Sequence, residues 1–377
     1  MKRIYHLADT HIGYSAYRKI DEETGLNQRE VDAYEAFKQF VEYALKEKPD
    51  AIVHAGDLFD SVRPTNRAIA FVLSQLLRLS EAAIPFVVIS GNHETPRLRE
   101  TGSVFSLFEH IPDVHLVYEN KYELVDIDGM QIHAIPHCDD IAREKEKVRV
   151  RNNGFHIGLL HASVIGAELP VFTMGEFNEQ VVTIDDLTTL DYLALGHFHG
   201  CTRVRAHAYY AGSTERFSFN EVRDHKGFLE VRLGADGGNE VIFHELRTRE
   251  MEDLKPVVCS SLDEHAIKSA IKHRIQECSP KDKVARLKVQ DIPLHVYHSL
   301  DFDGLKRLTR SAVHFEIKYE FMRDNELLSA ERPAFHSLHT EFERFIGRYT
   351  IGAHINRERL KALGRSYMQE WETEDQE

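Results

Sequence analysis

The chain has 377 residues, 42% of them hydrophobic, with 47 Lys+Arg against 61 Asp+Glu and a formal net charge of −14. No apolar run approaches the ~18 residues of a membrane-crossing helix, which excludes an integral helical membrane protein. The acidic balance excludes a protein that holds nucleic acid by diffuse positive charge alone, although acidic metal ligands count as negative until cations bind.

Four cysteines, Cys138, Cys201, Cys259 and Cys278, lie far apart without a CxxC pair, so neither a zinc ribbon nor a disulfide framework is expected. The N-terminus enters a strand at once and lacks a small-residue cleavage site, which gives a cytoplasmic expectation.

In chain order, apolar runs at Ile4–Leu7, Ala51–His54, Phe86–Ile89, Ile157–Leu160 and Tyr192–Leu195 read as buried strands. Between the first two, Glu30–Lys46 keeps helical spacing through Tyr34, Phe37, Phe40, Val41, Ala44 and Leu45. Strands apolar on both faces and separated by helices predict an α/β core with a mainly parallel sheet. Hairpins are predicted at Tyr122–Ile127/Met130–Ile135 and at Gly227–Leu233/Glu240–His244, both expected to complete a second sheet.

A charged stretch, Leu246–Lys255, followed by Pro256 marks a boundary. The division expected is 1–250, then a small α+β unit at 257–323, then a helical segment at 334–372. The small unit is predicted to hold a strand near Val257, a helix at Glu264–Cys278, strands at Ala285–Val289 and His295–Tyr297, a helix near Asp303–Ser311 and a strand at Phe315–Phe321. From Val258 to Arg323 there are 12 Lys+Arg and 9 Asp+Glu, a net of +3, so the rest of the chain carries −17. Arg332-Pro333 precedes two amphipathic helices, about Ala334–Arg348 and Asn356–Trp371. The run Arg143–Arg151 reads as a solvated helix face or linker, with a basic binding patch as the alternative.

Five motifs follow the strands: Asp9-Thr10-His11, Gly56-Asp57-Leu58-Phe59-Asp60, Gly91-Asn92-His93-Glu94, His161, and Gly196-His197-Phe198-His199. In parallel sheets ligands bind beyond the carboxyl ends of the strands, which is where all five sit. Asp9 and His11 are two residues apart, so they point the same way if the strand continues; so do His197 and His199. Each motif alone has an ordinary reading, since DxH and GNH recur by chance and a lone histidine is commonly structural. Together and in this order they form a donor set for two cations. Mixed oxygen and nitrogen donors without thiolate suit manganese, iron or zinc better than calcium. Two such ions stabilise the attacking and leaving oxygens of an in-line phosphoryl displacement.

The motif order resembles the calcineurin-like metallophosphoesterase superfamily. That resemblance implies a four-layer α/β sandwich and a division of labour. One metal is held by Asp9, His11, Asp57 and His199, the other by Asp57, Asn92, His161 and His197. His93 stands beside the phosphate as general acid or as a stabiliser of transition-state charge, and Asp60 and Glu94 orient ligands; solvated loop acids are the alternative for those two. Ser61 and Val62 stand where serine/threonine protein phosphatases place a phosphate-gripping Arg, and the loop lacks the Tyr ligand of purple acid phosphatases.

Wider segments narrow the resemblance: HLADTHIGY (6–14), AGDLFDSVRP (55–64), VVISGNHETPR (87–97), ALGHFHG (194–200) and AGSTERFSF (211–219) with Lys226-Gly227-Phe228. These are similar to the meiotic-recombination-eleven family, the SbcD-type nuclease subunit of the double-strand-break repair complex. The similarity implies a two-manganese DNA exonuclease and endonuclease acting on ends and hairpins, nucleoid-associated, with a capping domain at 257–323. Asp60, often His in archaeal members, and Glu94, often Asp, depart from the pattern. The alternatives are a phosphomonoesterase or cyclic-nucleotide phosphodiesterase on the same site, or a DNA-end scaffold with a vestigial one.

Two surfaces call for partners. Arg67–Leu79 is apolar around most of its circumference; the family resemblance implies a homodimer through 66–80 and 103–110, and burial under a loop is the alternative. The stripes Phe335, Leu338, Phe342, Phe345, Ile346 and Leu360, Leu363, Tyr367, Trp371 cannot fully bury one another. In the family this region, here 334–372, binds the coiled-coil base of an SMC-like ABC ATPase; docking on the capping domain is the alternative.

Overall fold

The computed structural model describes residues 1–96, 99–150, 154–166, 174, 179–234, 238–322, 342, 346 and 357–374. The chain divides into two compact units, Met1–Glu320 and Phe321–Glu377.

Two six-stranded sheets form the bulk of the first unit. One runs β14 (Asn239–Glu245), β13 (Gly227–Leu233), β1 (Lys2–Leu7), β2 (Ala51–His54), β3 (Phe86–Ile89), β4 (Val114–Val117). β1 to β4 are parallel, while β13 pairs antiparallel with both β1 and β14. The other runs β11 (Thr202–Arg203), β12 (Ala208–Tyr210), β10 (Tyr192–Gly196), β7 (Phe155–His161), β6 (Met130–Ile135), β5 (Glu123–Ile127). Alternate residues of each strand face opposite ways. Thus Tyr5, Leu7, Ile52, Phe86 and Val88 pack under α1 (Gln28–Glu47) and α2 (Asn66–Glu81). Ile4, Ala51, Val53, Val87 and Ile89 meet Ile132, Ala134, Ile157, Leu159 and Ala194 of the second sheet. The outer face of the second sheet is covered by Ile141 of α3 (Ile141–Lys145), by Val182 of β9 (Val181–Val182), which pairs with β8 (Ser163–Val164), and by Ile184, Leu187 and Leu190. The result is the four-layer α/β sandwich expected.

Local chemistry fixes the helices. Thr65 caps α2, its hydroxyl accepting from the Ala68 amide at 3.2 Å. Asn27 caps α1 by accepting from the Arg29 amide, and Lys48 ends that helix with φ 51°.

Two expectations are corrected. The hairpin β13–β14 extends the first sheet beside β1; only β5–β6 joins the second. Residues 295–297 are helical, within α5 (Leu294–His298), because Pro293 fixes φ at −64° and opens the helix. A strand before Pro256, β15 (Met251–Asp253), pairs with β17 (Val284–Ile292) of the small sheet, which also holds β16 (Val257–Val258) and β18 (His314–Phe321). That sheet packs on α4 (Glu264–Cys278), with Ile267, Ile271 and Ile275 against Leu287, Val289 and Leu305 of α6 (Phe302–Thr309).

In the second unit the described helix is α7, Arg357–Glu374; Leu363 and Tyr367 on it are exposed. The helix expected at Ala334–Arg348 lies, apart from Phe342 and Ile346, outside the described residues. No described helix is long and apolar enough to cross a membrane.

Candidate metal centre

The motif residues converge where the parallel strands end. β1 stops at Leu7 and β10 at Gly196, so Asp9, His11 and His197 lie past the strands. The two-residue spacing therefore does not act through strand alternation. Asp9, His11, Asp57 and His197 all take positive φ, at 51°, 43°, 54° and 98°. Non-glycine residues seldom adopt this left-handed conformation, and its strain clusters at functional sites. Here it turns the side chains inward from tight bends. Main-chain bonds hold the bends together: the Asp9 and His11 amides donate to the Gly56 and Asp57 carbonyls at 3.0 Å each.

The glycines opening two motifs permit the close approach. A Cβ on Gly91 would fall 2.1 Å from Asp57 Oδ1, and one on Gly196 would fall 2.0 Å from the Ala55 carbonyl oxygen.

The donors form two overlapping groups that meet at Asp57. In one half His11 Nε2 and His199 Nε2 face each other at 3.2 Å, and His11 Nε2 lies 3.9 Å from Asp57 Oδ2. Asp9, His11 and His199 place ligand atoms within 4.8 Å of one another. In the other half Asn92 Oδ1 lies 2.9 Å from His161 Nε2 and 3.1 Å from His197 Nδ1, and His161 Nε2 lies 3.3 Å from Asp57 Oδ2. Asp57, His161 and His197 form a second such trio, and His11, Asp57 and His93 a third. Asp9 also accepts from the His197 amide, at 3.0 and 3.2 Å. Asp9, His11, Asp57, His161, His197 and His199 are all buried. Imidazole nitrogens facing one another, and buried carboxylates with no lysine or arginine paired to them in the described contacts, fit a cation-holding role. No thiolate takes part.

Charge follows the geometry. Burial would push the Asp57 carboxyl up, but His161, His11 and His93 around it hold it well below the usual range. Burial would lower His161; Asp57 reverses this, and the imidazole rises to about 9. Its Nδ1 donates to the Ala55 carbonyl at 2.7 Å, so Nε2 is the nitrogen turned toward Asp57 and Asn92.

His93 stands edge-on to His11, ring centroids 4.6 Å apart. Its amide donates to Asp57 Oδ1 at 3.0 Å, and its Nδ1 donates to the Asp60 carbonyl at 3.0 Å. Asp60 therefore contacts His93 through its main chain, while its Oδ1 lies 3.3 Å from His11 Nδ1. Glu94 is fully buried behind Asp57, and its Oε1 accepts from the Leu58 amide at 2.8 Å. Burial, then the neighbouring Asp57, raises its carboxyl well above the ordinary range.

Sequence reasoning missed three groups. Glu179 Oε1 lies 3.1 Å from His197 Nε2, and Glu221 Oε1 lies 3.2 Å from His199 Nδ1. Phe217 walls the site edge-on to His11 and His199, at 4.8 and 5.6 Å. Glu179 stands in no motif. Glu221 lies two residues beyond AGSTERFSF, and nothing about an isolated acid reports which imidazole it will meet.

Residues 2–201 match the family model for calcineurin-like phosphoesterases, which covers more than half of the chain. The chain belongs to that family. It is similar to several proteins called DNA double-strand break repair protein Mre11. The one from Methanococcus maripaludis is 32% identical over 250 residues, 61% of this chain and 63% of that protein. The one from Sulfurisphaera tokodaii is 34% identical over 204 residues, 52% of this chain and 49% of that protein. The chain thus spans under two thirds of these two relatives. It spans more of the Thermoplasma acidophilum relative, which is 26% identical over 387 residues, 96% of this chain and 92% of that protein.

Proposed function

We propose that this chain is a metal-dependent DNA nuclease that processes ends and hairpins in double-strand-break repair, with manganese as its cation. The observation carrying this reading is the pair of donor trios, Asp9, His11 and His199 beside Asp57, His161 and His197, linked where His11 Nε2 lies 3.9 Å from Asp57 Oδ2, with His93 alongside. The names of the relatives point to DNA repair as the setting.

Asp9, His11, Asp57 and His199 would hold one cation, and Asp57, Asn92, His161 and His197 the other. When bound, the two ions supply Lewis acidity toward water and neutralise charge on the phosphate. The protein does the rest. Asp57 is common to both groups and keeps them adjacent. His93 has Nδ1 committed to the Asp60 carbonyl, so proton donation to a leaving oxygen falls to Nε2. Phe217, with Tyr14 donating to its carbonyl at 3.1 Å, limits water on the His11–His199 side.

The reading extends to organisation. The nuclease domain would be 1–250, with a capping domain at 257–323 that contacts DNA and carries the net positive charge counted above. Leu73, Leu77 and Leu107 are 36%, 42% and 63% exposed, which supports a homodimer through 66–80 and 103–110. Exposed Leu363 and Tyr367 on α7 support docking of an SMC-like coiled-coil ABC ATPase on 334–372. The expected setting is the cytoplasm, on the nucleoid.

The deciding experiment incubates labelled hairpin and blunt DNA with manganese, beside a small phosphomonoester, for wild type and His93→Leu. DNA cleavage abolished in the variant, with its metal content retained, supports the reading. Rapid phosphomonoester turnover with inert DNA replaces it with a phosphomonoesterase. Inertness toward both, with intact DNA-end binding, replaces it with a scaffold.

A further inference from the structure

Behind His199, on the side away from His11, lies the buried charge pair Lys226–Glu221; Lys226 opens one of the segments that carry the resemblance, whereas Glu221 stands in none of them. Lys226 Nζ is sealed from solvent and donates to Glu221 Oε2 at 2.7 Å, to Ser213 Oγ at 2.9 Å and to the His199 carbonyl at 2.9 Å, with Asp224 Oδ2 at 3.3 Å. Glu221 is 4% exposed. Its Oε2 also takes the Phe217 amide at 3.3 Å, and its Oε1 takes the Ser218 hydroxyl at 3.0 Å. The remaining contact of Oε1 is His199 Nδ1, at 3.2 Å. Apart from His199, the groups facing the Glu221 carboxylate are the Lys226 ammonium, the Phe217 amide and the hydroxyls of Ser218 and Ser213, the last 3.4 Å from Oε2, and a carboxyl 2.7 Å from an ammonium stands as the carboxylate of an ion pair. An ionised carboxylate only accepts. The proton between Glu221 and His199 therefore belongs to Nδ1, which leaves the Nε2 lone pair directed at His11.

We infer that Glu221, locked in place by Lys226, is a positioning residue that fixes the tautomer and ring orientation of His199 for cation binding. Lys226 grips the same histidine twice, through Glu221 at the ring and directly at the backbone carbonyl. Gly212 completes the clamp. With φ at 77°, it brings its loop so close that a Cβ would lie 2.8 Å from the His199 carbonyl oxygen and 2.7 Å from the Cys201 amide nitrogen. A carboxylate on the far nitrogen of a ligating histidine sets ring orientation and basicity, and its loss typically lowers metal affinity by about 10–100-fold. The effect here is local, because His161 and His197 take their orienting contacts from Ala55 and Glu179 instead. The inference rests on the reading that His199 holds a cation.

The test is manganese titration of the full chain by calorimetry, with bound metal counted by elemental analysis. The variant is Glu221→Gln combined with Lys226→Met, since removing the glutamate alone would strand a buried lysine. Wild type is expected to bind two ions. The double variant is expected to keep one at wild-type affinity and to bind the other about 10–100-fold more weakly. Two ions at wild-type affinity would overturn the inference, and so would equal weakening of both in a folded variant. If the variant fails to fold, nitrogen-15 shifts of His199 in wild type above pH 8 decide the matter: a proton on Nδ1 upholds the inference, and one on Nε2 overturns it. A wild type that binds no manganese defeats the metal reading itself, and the tautomer measurement then still reports separately on Glu221.

Discussion

His11 and His199, 188 residues apart in sequence, aim their Nε2 atoms at each other across 3.2 Å. Without metal one of these nitrogens must carry a proton toward the other, whereas a cation lets both present lone pairs to it. Divalent cations should therefore stabilise the fold, and by linkage one site at about 100 times its Kd adds about 2.7 kcal/mol. Thermal melts of chelator-stripped protein should rise by several degrees on adding manganese, and His11→Ala should remove part of the rise. Melting that ignores manganese would contradict this.

His93→Leu should lower DNA cleavage by about 100-fold or more, the scale of a lost general acid. Metal content should stay at the wild-type level, because the His93 side chain lies outside both proposed ligand sets. Single-turnover cleavage beside elemental analysis measures both. A variant that loses its metals would place His93 among the ligands instead.

Burial and the neighbouring Asp57 raise the Glu94 carboxyl well above the ordinary range, so Glu94→Gln, an uncharged group of the same shape, relieves the repulsion and keeps an acceptor for the Leu58 amide. Its stability should fall by less than about 1 kcal/mol. Glu94→Ala strips the Leu58 amide of its acceptor and should cost roughly 1–3 kcal/mol, with weaker metal binding because the loop carrying Asp57 is released. Chemical denaturation of the two variants, compared with wild type, checks the order.

His6 and His54 are fully buried and neutral, each driven down to about 3 by burial. Their folded values lie below the unfolded value of about 6.5, so the unfolded chain binds more protons between those limits. Stability is full above about pH 6.5 and is lost as pH falls toward 3. The pair should contribute a slope on the order of 2 kcal/mol per pH unit between pH 6 and 5. His54→Gln should reduce that slope by about half in metal-free protein. An unchanged slope would mean that His54 is not buried neutral.

On the proposed homodimer, wild type should run as a dimer in light scattering and Leu77→Glu, with or without Leu73→Glu, as a monomer with manganese binding intact, since the exposed leucines lie on α2, away from the donors. A variant that stays dimeric would send the interface elsewhere.

Much of this was legible in the chain. Strands apolar on both faces, each followed by a polar motif, announced the sheets and the side on which the site would form. The reasons for convergence were less visible. Asp9 and His11 looked like neighbours on one strand face, yet left-handed backbone brings them together. The hairpin β13–β14 carried no mark of which sheet it would join, because pairing with β1 is a long-range choice. The helix at Leu294–His298 is only five residues long, too short for its spacing to separate it from the strand expected at His295–Tyr297. Glu179, Glu221 and Lys226 gain their roles only from atoms folded onto them, and no local pattern encodes that.

The near-contact of Gly196 with Ala55 means that the two sheets meet at the site through bare main chain. Side chains can be repacked by a neighbouring substitution, whereas peptide groups in contact have nowhere to yield. The span from Asp9, Asp57 and Asn92, which follow strands of one sheet, to His161, His197 and His199 on the other is thus a ruler cut in backbone. Changes elsewhere in the core can loosen or tighten the protein, yet the distance across which a phosphate must be gripped stays the same.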